Sequence, residues 1–78
     1  MSNDTLDKLP VGATATVIDV QGDPQLQQRI LEMGVLPGIQ VQVVRYAPLG
    51  DPIEIKVMGY NLSLRKAEAK HVSVEVAG

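Results

Sequence analysis

"IQVQVVRYAPLGDPIEIKV", residues Ile39 to Val57, decides the class of fold. On its left, Ile39, Val41 and Val43 alternate with Gln40, Gln42 and Val44. On its right, Ile53, Ile55 and Val57 alternate with Glu54, Lys56 and Met58. A period of two sends successive side chains to opposite faces, so each run reads as a strand with one face toward a core. The connection between them is more specialised than a hairpin turn requires. It holds Pro48, Leu49, Gly50, Asp51 and Pro52.

Working outward, "TATVIDV" (Thr14 to Val20) is rich in β-branched residues and predicts a first strand. "GDPQLQQRILEMG" then changes period. Asp23 suits a helix cap, Pro24 its first turn, and Gly34 a left-handed ending. Leu26, Ile30 and Met33 form one apolar stripe, so a short amphipathic helix is expected here. Pro37-Gly38 supply a turn into the next strand. Beyond Val57, "MGYN" predicts a tight hairpin turn, with Leu62 and Leu64 facing inward after it. "RKAEAK" predicts one helical turn before a last strand, "HVSVEV". The expected fold is mainly β: a small five-stranded barrel, because closure protects edges that a chain of this length would otherwise expose. Residues 1–78 form a single domain, with 1–5 expected to be flexible.

Composition excludes several function classes. The 78 residues are 45% hydrophobic, with no Phe, Trp or Cys, and Tyr46 and Tyr60 are the only aromatics. A chain this short buries only roughly 60% of its unfolded surface. Without cysteine there is no disulfide and no thiolate metal site, which fits a reducing compartment. The start lacks the basic and apolar blocks of a signal peptide, and no apolar run approaches the ~20 residues of a spanning helix. A cytoplasmic chain without membrane insertion is expected. Seven basic residues face nine acidic ones, and Arg65-Lys66 is the only adjacent basic pair. Phosphate backbones reward clustered Lys and Arg, so nucleic acid is not an expected partner. The single histidine, His71, has no cysteine to pair with and reads as a surface or partly packed residue. No phosphate-binding glycine loop, nucleophile-base pair or metal-ligand cluster is visible. The chain is expected to be no enzyme and to carry no cofactor and no metal.

Three phrases carry a family resemblance: "QRILEMGVLPG" (Gln28 to Gly38), "APLGDPI" (Ala47 to Ile53) and "LSLRKAEA" (Leu62 to Ala69). Together they resemble the FeoA family, the small cytosolic partners of the bacterial ferrous iron permease FeoB, over nearly the full chain. The resemblance implies an SH3-like barrel and a non-enzymatic part in iron uptake, through contact with the cytosolic portion of the transporter. Related SH3-like domains end metal-dependent repressors of the diphtheria-toxin-repressor type. SH3 domains that bind Pro-rich peptides line a groove with aromatics, and two tyrosines do not furnish one.

The loop has two readings. In one, Pro48, Gly50, Asp51 and Pro52 make a rigid connector, with Asp51 bonding nearby amides. In the other, the same rigidity pre-orders a surface for a partner, with Leu49 at its tip. Leu31 and Leu36 either pack against a barrel end or join Leu49 in an exposed patch. Arg29 and Arg65 either make internal ion pairs and carbonyl contacts or meet acidic groups on the transporter. The leading expectation is an interaction module for a FeoB-type permease. The alternatives are a small Fe(II) carrier, built from carboxylates, His71 and carbonyls, and a freestanding regulatory domain like the repressor tail. Self-association stays open.

Overall fold

The computed structural model describes residues 2–76. It contains six strands and two helices. They are β1 (Ser2–Thr5), β2 (Thr14–Val20), α1 (Pro24–Glu32), β3 (Gln40–Tyr46), β4 (Ile53–Val57), β5 (Tyr60–Leu64), α2 (Lys66–Ala69) and β6 (Val72–Val76). A 3-10 turn, Leu6–Lys8, follows β1. All neighbours are antiparallel, in the order β1-β6-β2-β3-β4-β5. The sheet curls roughly into a barrel, and β1 and β5 remain its two edges. Register shifts at Val17/Asp19 and Val43/Arg45 mark bulges, which increase local twist and help such curling.

The expected strand count of five becomes six: of residues 1–5, expected to be flexible, 2–5 form the paired strand β1, and Met1 lies outside the described residues. "SNDT" has no apolar alternation to reveal a strand. Its order comes from backbone pairing with β6, Ser2 opposite Val76 through Thr5 opposite Ser73. Leu6, fully buried just after it, anchors the segment.

The alternating residues fill the core. Val41, Val43, Ile53, Ile55 and Val57 are buried together with Val17, Leu64, Val72 and Val74. Burial of such side chains contributes roughly 1.5–3 kcal/mol each before entropy is counted. Ile30 of α1 is also fully buried, with Leu26 and Met33 packed partly against the core.

Helix α1 has both of its ends closed by sequence-specific chemistry. The Asp23 carboxylate accepts a 2.8 Å hydrogen bond from the Leu26 N–H, and Pro24 opens the first turn. At the other end the Gly34 N–H reaches the Leu31 carbonyl and the Val35 N–H the Ile30 carbonyl. That pair of bonds is a Schellman ending, with Gly34 at φ +97 and buried Val35 among the core residues with Ile30. The β4–β5 hairpin closes on Met58 and Gly59, both at positive φ as a primed two-residue turn demands.

Candidate partner-binding site

The loop between β3 and β4 is tied on several sides. Inside it, the Gly50 N–H bonds the Ala47 carbonyl at 2.7 Å, which places Pro48 and Leu49 at the apex of a turn. The Ala47 N–H closes the base on the Pro52 carbonyl at 3.0 Å, and the Asp51–Pro52 peptide is cis. Gly50 takes φ +87, a conformation that glycine adopts without cost. Asp51 reaches outward: its carboxylate accepts a 3.0 Å bond from the Lys66 N–H, satisfying an orphan donor in the first turn of α2. At the base, the Tyr46 hydroxyl donates to the Leu9 carbonyl, with the Asp7 carbonyl 3.3 Å away. Burial, and then the Asp7 carboxylate, raise the Tyr46 phenol above its ordinary value.

These bonds divide the loop by role. Asp51, Gly50 and the two prolines hold its shape, while Leu49 stands at the apex 96% exposed. Leu31 is half-buried and packs against the core, whereas Leu36, in the turn after α1, is 41% exposed. Each of these three leucines belongs to a different element.

Arg29, Pro52 and Arg65 do meet. With Met33, Ser63 and Glu68 they line one depression between α1, the loop base and the start of α2. Its floor holds a residue that sequence reasoning missed. Glu68 is only 7% exposed. One carboxylate oxygen accepts a 2.9 Å bond from the Arg65 N–H, and the other lies 3.0 Å from Arg29 Nη2. The second contact is close enough for ion pairing but out of line for a hydrogen bond, and that oxygen has no other polar partner. The available signal was position: an acid three residues into a helical turn can reach back to the cap N–H. Arg29 keeps two-thirds of its side chain exposed, so the pair neutralises Glu68 without consuming the guanidinium.

Among the described residues, no three His, Cys, Asp or Glu side chains gather as a metal site. His71 is half-buried; its ring lies against Gly22 and its carbonyl accepts a 2.7 Å bond from the Gln21 N–H. No helix among the described residues is long and apolar enough to cross a membrane.

The sequence model of the FeoA domain matches residues 5–76. The chain belongs to the FeoA family. FeoA domains take part in ferrous iron transport, and the family is an accessory to transport rather than a known class of enzyme. A Porphyromonas gingivalis protein, an Fe(2+) transport protein A/Fe(2+) transporter FeoB fusion, is 41% identical over 71 residues. The match covers 91% of this chain and 8% of that much longer protein. FeoA from Stenotrophomonas maltophilia is 33% identical, with a TM-score of 0.79 over 91% of this chain and 88% of that one. It was solved in complex with zinc, as an SH3 domain protein and a suggested ferrous iron transport activating factor. A manganese-dependent transcriptional repressor gives a TM-score of 0.89 at 18% identity, over 99% of this chain and 42% of the repressor. At that identity the likeness concerns the fold alone. The SH3-like architecture expected from the resemblance is thus the one observed.

Proposed function

We propose that this FeoA domain is a cytoplasmic, non-catalytic adaptor that docks on the cytosolic portion of a FeoB-type ferrous iron permease. The observation that carries the reading is Leu49, held almost fully exposed on a loop whose flanks are bonded in place. A pre-ordered loop lowers the entropy cost of association, and an apolar side chain at its apex gains by leaving water. The identity of the partner is supported by the Porphyromonas gingivalis relative, in which a similar domain and FeoB share one polypeptide. An adaptor shifts its partner's equilibrium only by binding one state better than another, so the proposed mechanism is differential affinity.

A second reading is a regulatory domain serving a separate transcription factor; the repressor shares the fold with this chain, and fold by itself does not carry function. The carrier reading has less support, because the described residues bring no three His, Cys, Asp or Glu side chains together. Pull-down with the purified permease and with its isolated G domain, with and without nucleotide, tests the proposal. Retention by either species supports the adaptor. No retention under any nucleotide condition removes it and leaves the regulatory reading.

A further inference from the structure

The free edge of β5 differs from the other edge of the sheet in ways that matter for pairing. β1 is four residues long, carries Asp4, and runs directly into a 3-10 turn. Short length and charge are standard ways of protecting an edge. β5, "YNLSL", has no charge and no proline, and its pairing with β4 runs from Ile53↔Leu64 to Val57↔Tyr60 without a bulge. The two-residue turn at Met58–Gly59 makes Val57 and Tyr60 the closing hydrogen-bonded pair. Bonding alternates along the strand from there. The backbone groups of Tyr60, Leu62 and Leu64 are therefore spent on β4, while those of Asn61 and Ser63 point away from the sheet. Both residues are exposed, and no described strand lies beyond them.

Charge indicates what would pair there. Ser63 lines the same depression as Arg29 and Arg65. Among the described residues Arg65 has no carboxylate partner. The neighbouring acids are already engaged: Glu54 accepts bonds from Arg45 at 2.8 Å and Asn61 at 2.9 Å, and Glu68 lies on the depression's floor beside Arg29. A second copy of the chain fits poorly. Antiparallel pairing of two β5 edges through Asn61 and Ser63 would set Arg65 opposite residues of the Val57–Asn61 stretch, which contains no acid.

We infer that the β5 edge accepts an extended segment of a partner protein as an added strand, with an acidic side chain of that segment held by Arg65 and Arg29. Main-chain bonds to Asn61 and Ser63 supply affinity, and the two guanidiniums supply selectivity. The inference rests on the adaptor reading only for the identity of the partner.

The test uses the full chain and a short synthetic peptide of alternating Thr and Val with one central Glu, beside a counterpart with Gln in its place. Amide spectra and hydrogen exchange report each backbone position. The Glu peptide should shift the Asn61 and Ser63 amides and slow their exchange, with affinity about tenfold above the Gln peptide, on the scale of a charge-assisted bond. Ser63→Pro deletes an outward N–H while sparing the ladder to β4, and should abolish peptide binding. Should that variant fail to fold, Arg65→Glu leaves the backbone intact and should lower affinity for the Glu peptide about tenfold. No response at Asn61 and Ser63, equal binding of the two peptides, or a response confined to β1 overturns the inference. In the permease pull-down, equal capture of wild type and folded Ser63→Pro overturns the edge while the adaptor stands. Peptide binding at β5 without any permease capture removes the adaptor and keeps the edge.

Discussion

The Tyr60 hydroxyl donates a 2.9 Å hydrogen bond to the Met33 carbonyl, and a Cβ added at Gly34 would collide with that same hydroxyl. The end of α1 and the start of β5 are thereby joined at a point where any side chain on residue 34 would have to push the Tyr60 hydroxyl aside. Two demands fall on Gly34 together: a left-handed backbone at φ +97, and room for Tyr60.

Gly34→Ala should therefore destabilise by about 2–3 kcal/mol, combining left-handed strain of roughly 1–2 kcal/mol with loss of a hydrogen bond worth about 1 kcal/mol. Tyr60→Phe alone should cost only about 1 kcal/mol, and adding it to Gly34→Ala should cost less than the sum. Denaturant melts of the two single variants and the double variant measure the coupling. Strict additivity would mean that the hydroxyl and the glycine are independent.

Leu49→Ser separates recognition from architecture. The side chain is almost wholly in water, so its melting midpoint should correspond to a change under about 0.5 kcal/mol. Loss of a binding hot spot costs more than about 1 kcal/mol of affinity, which calorimetry with the permease would detect. A large loss of stability, or undiminished binding, would contradict the assignment.

Asp51→Ala removes the cap on the Lys66 N–H. Loss of such a cap typically costs about 1 kcal/mol. Because the bond also moors the loop, exchange of loop amides such as Gly50 should quicken in the variant. Asp51→Asn keeps an acceptor oxygen and should restore most of both effects. If loop exchange is unchanged in Asp51→Ala, the loop is held by its internal turn alone.

Tyr46 predicts an alkaline limb in the stability profile. Its phenol is raised in the folded state by burial and by Asp7, so the unfolded chain loses that proton first. The contribution is complete below the unfolded value near 10 and declines as pH rises from there through the raised folded value. Urea melts should show stability falling across that window in wild type and a flatter profile in Tyr46→Phe. The variant should also lose about 1 kcal/mol at neutral pH with the hydrogen bond to Leu9. Parallel alkaline limbs would place the responsible titration elsewhere.

What could be read from sequence follows the reach of local chemistry. Asp23, Pro24 and Gly34 announced a helix with defined ends because caps act within a turn of the residues they serve. The alternating valines and isoleucines of β3 and β4 announced a sheet face for the same reason. β1 escaped notice because its order is conferred by β6, more than sixty residues away in the chain by its pairing of Thr5 with Ser73. The depression at Arg29 escaped for a related reason. Its buried Glu68 looks, in sequence, like one more solvent-facing acid in "KAEAK", and only the reach of Arg29 from α1 gives it a charged partner.

The place of β6 has a consequence for the order of assembly. Of the six described strands, the last in sequence lies between the first two, bonded to β1 on one side and β2 on the other. Until residues 72–76 have left the ribosome, β1 has no ladder and β2 has one open flank. The sheet is thus completed only once β6 has been made, by contacts of large sequence separation, which are slow to form relative to local ones. A nascent or truncated chain without that strand would hold Val17 and Val20 beside a gap in the sheet, which is the form a chaperone or protease would meet.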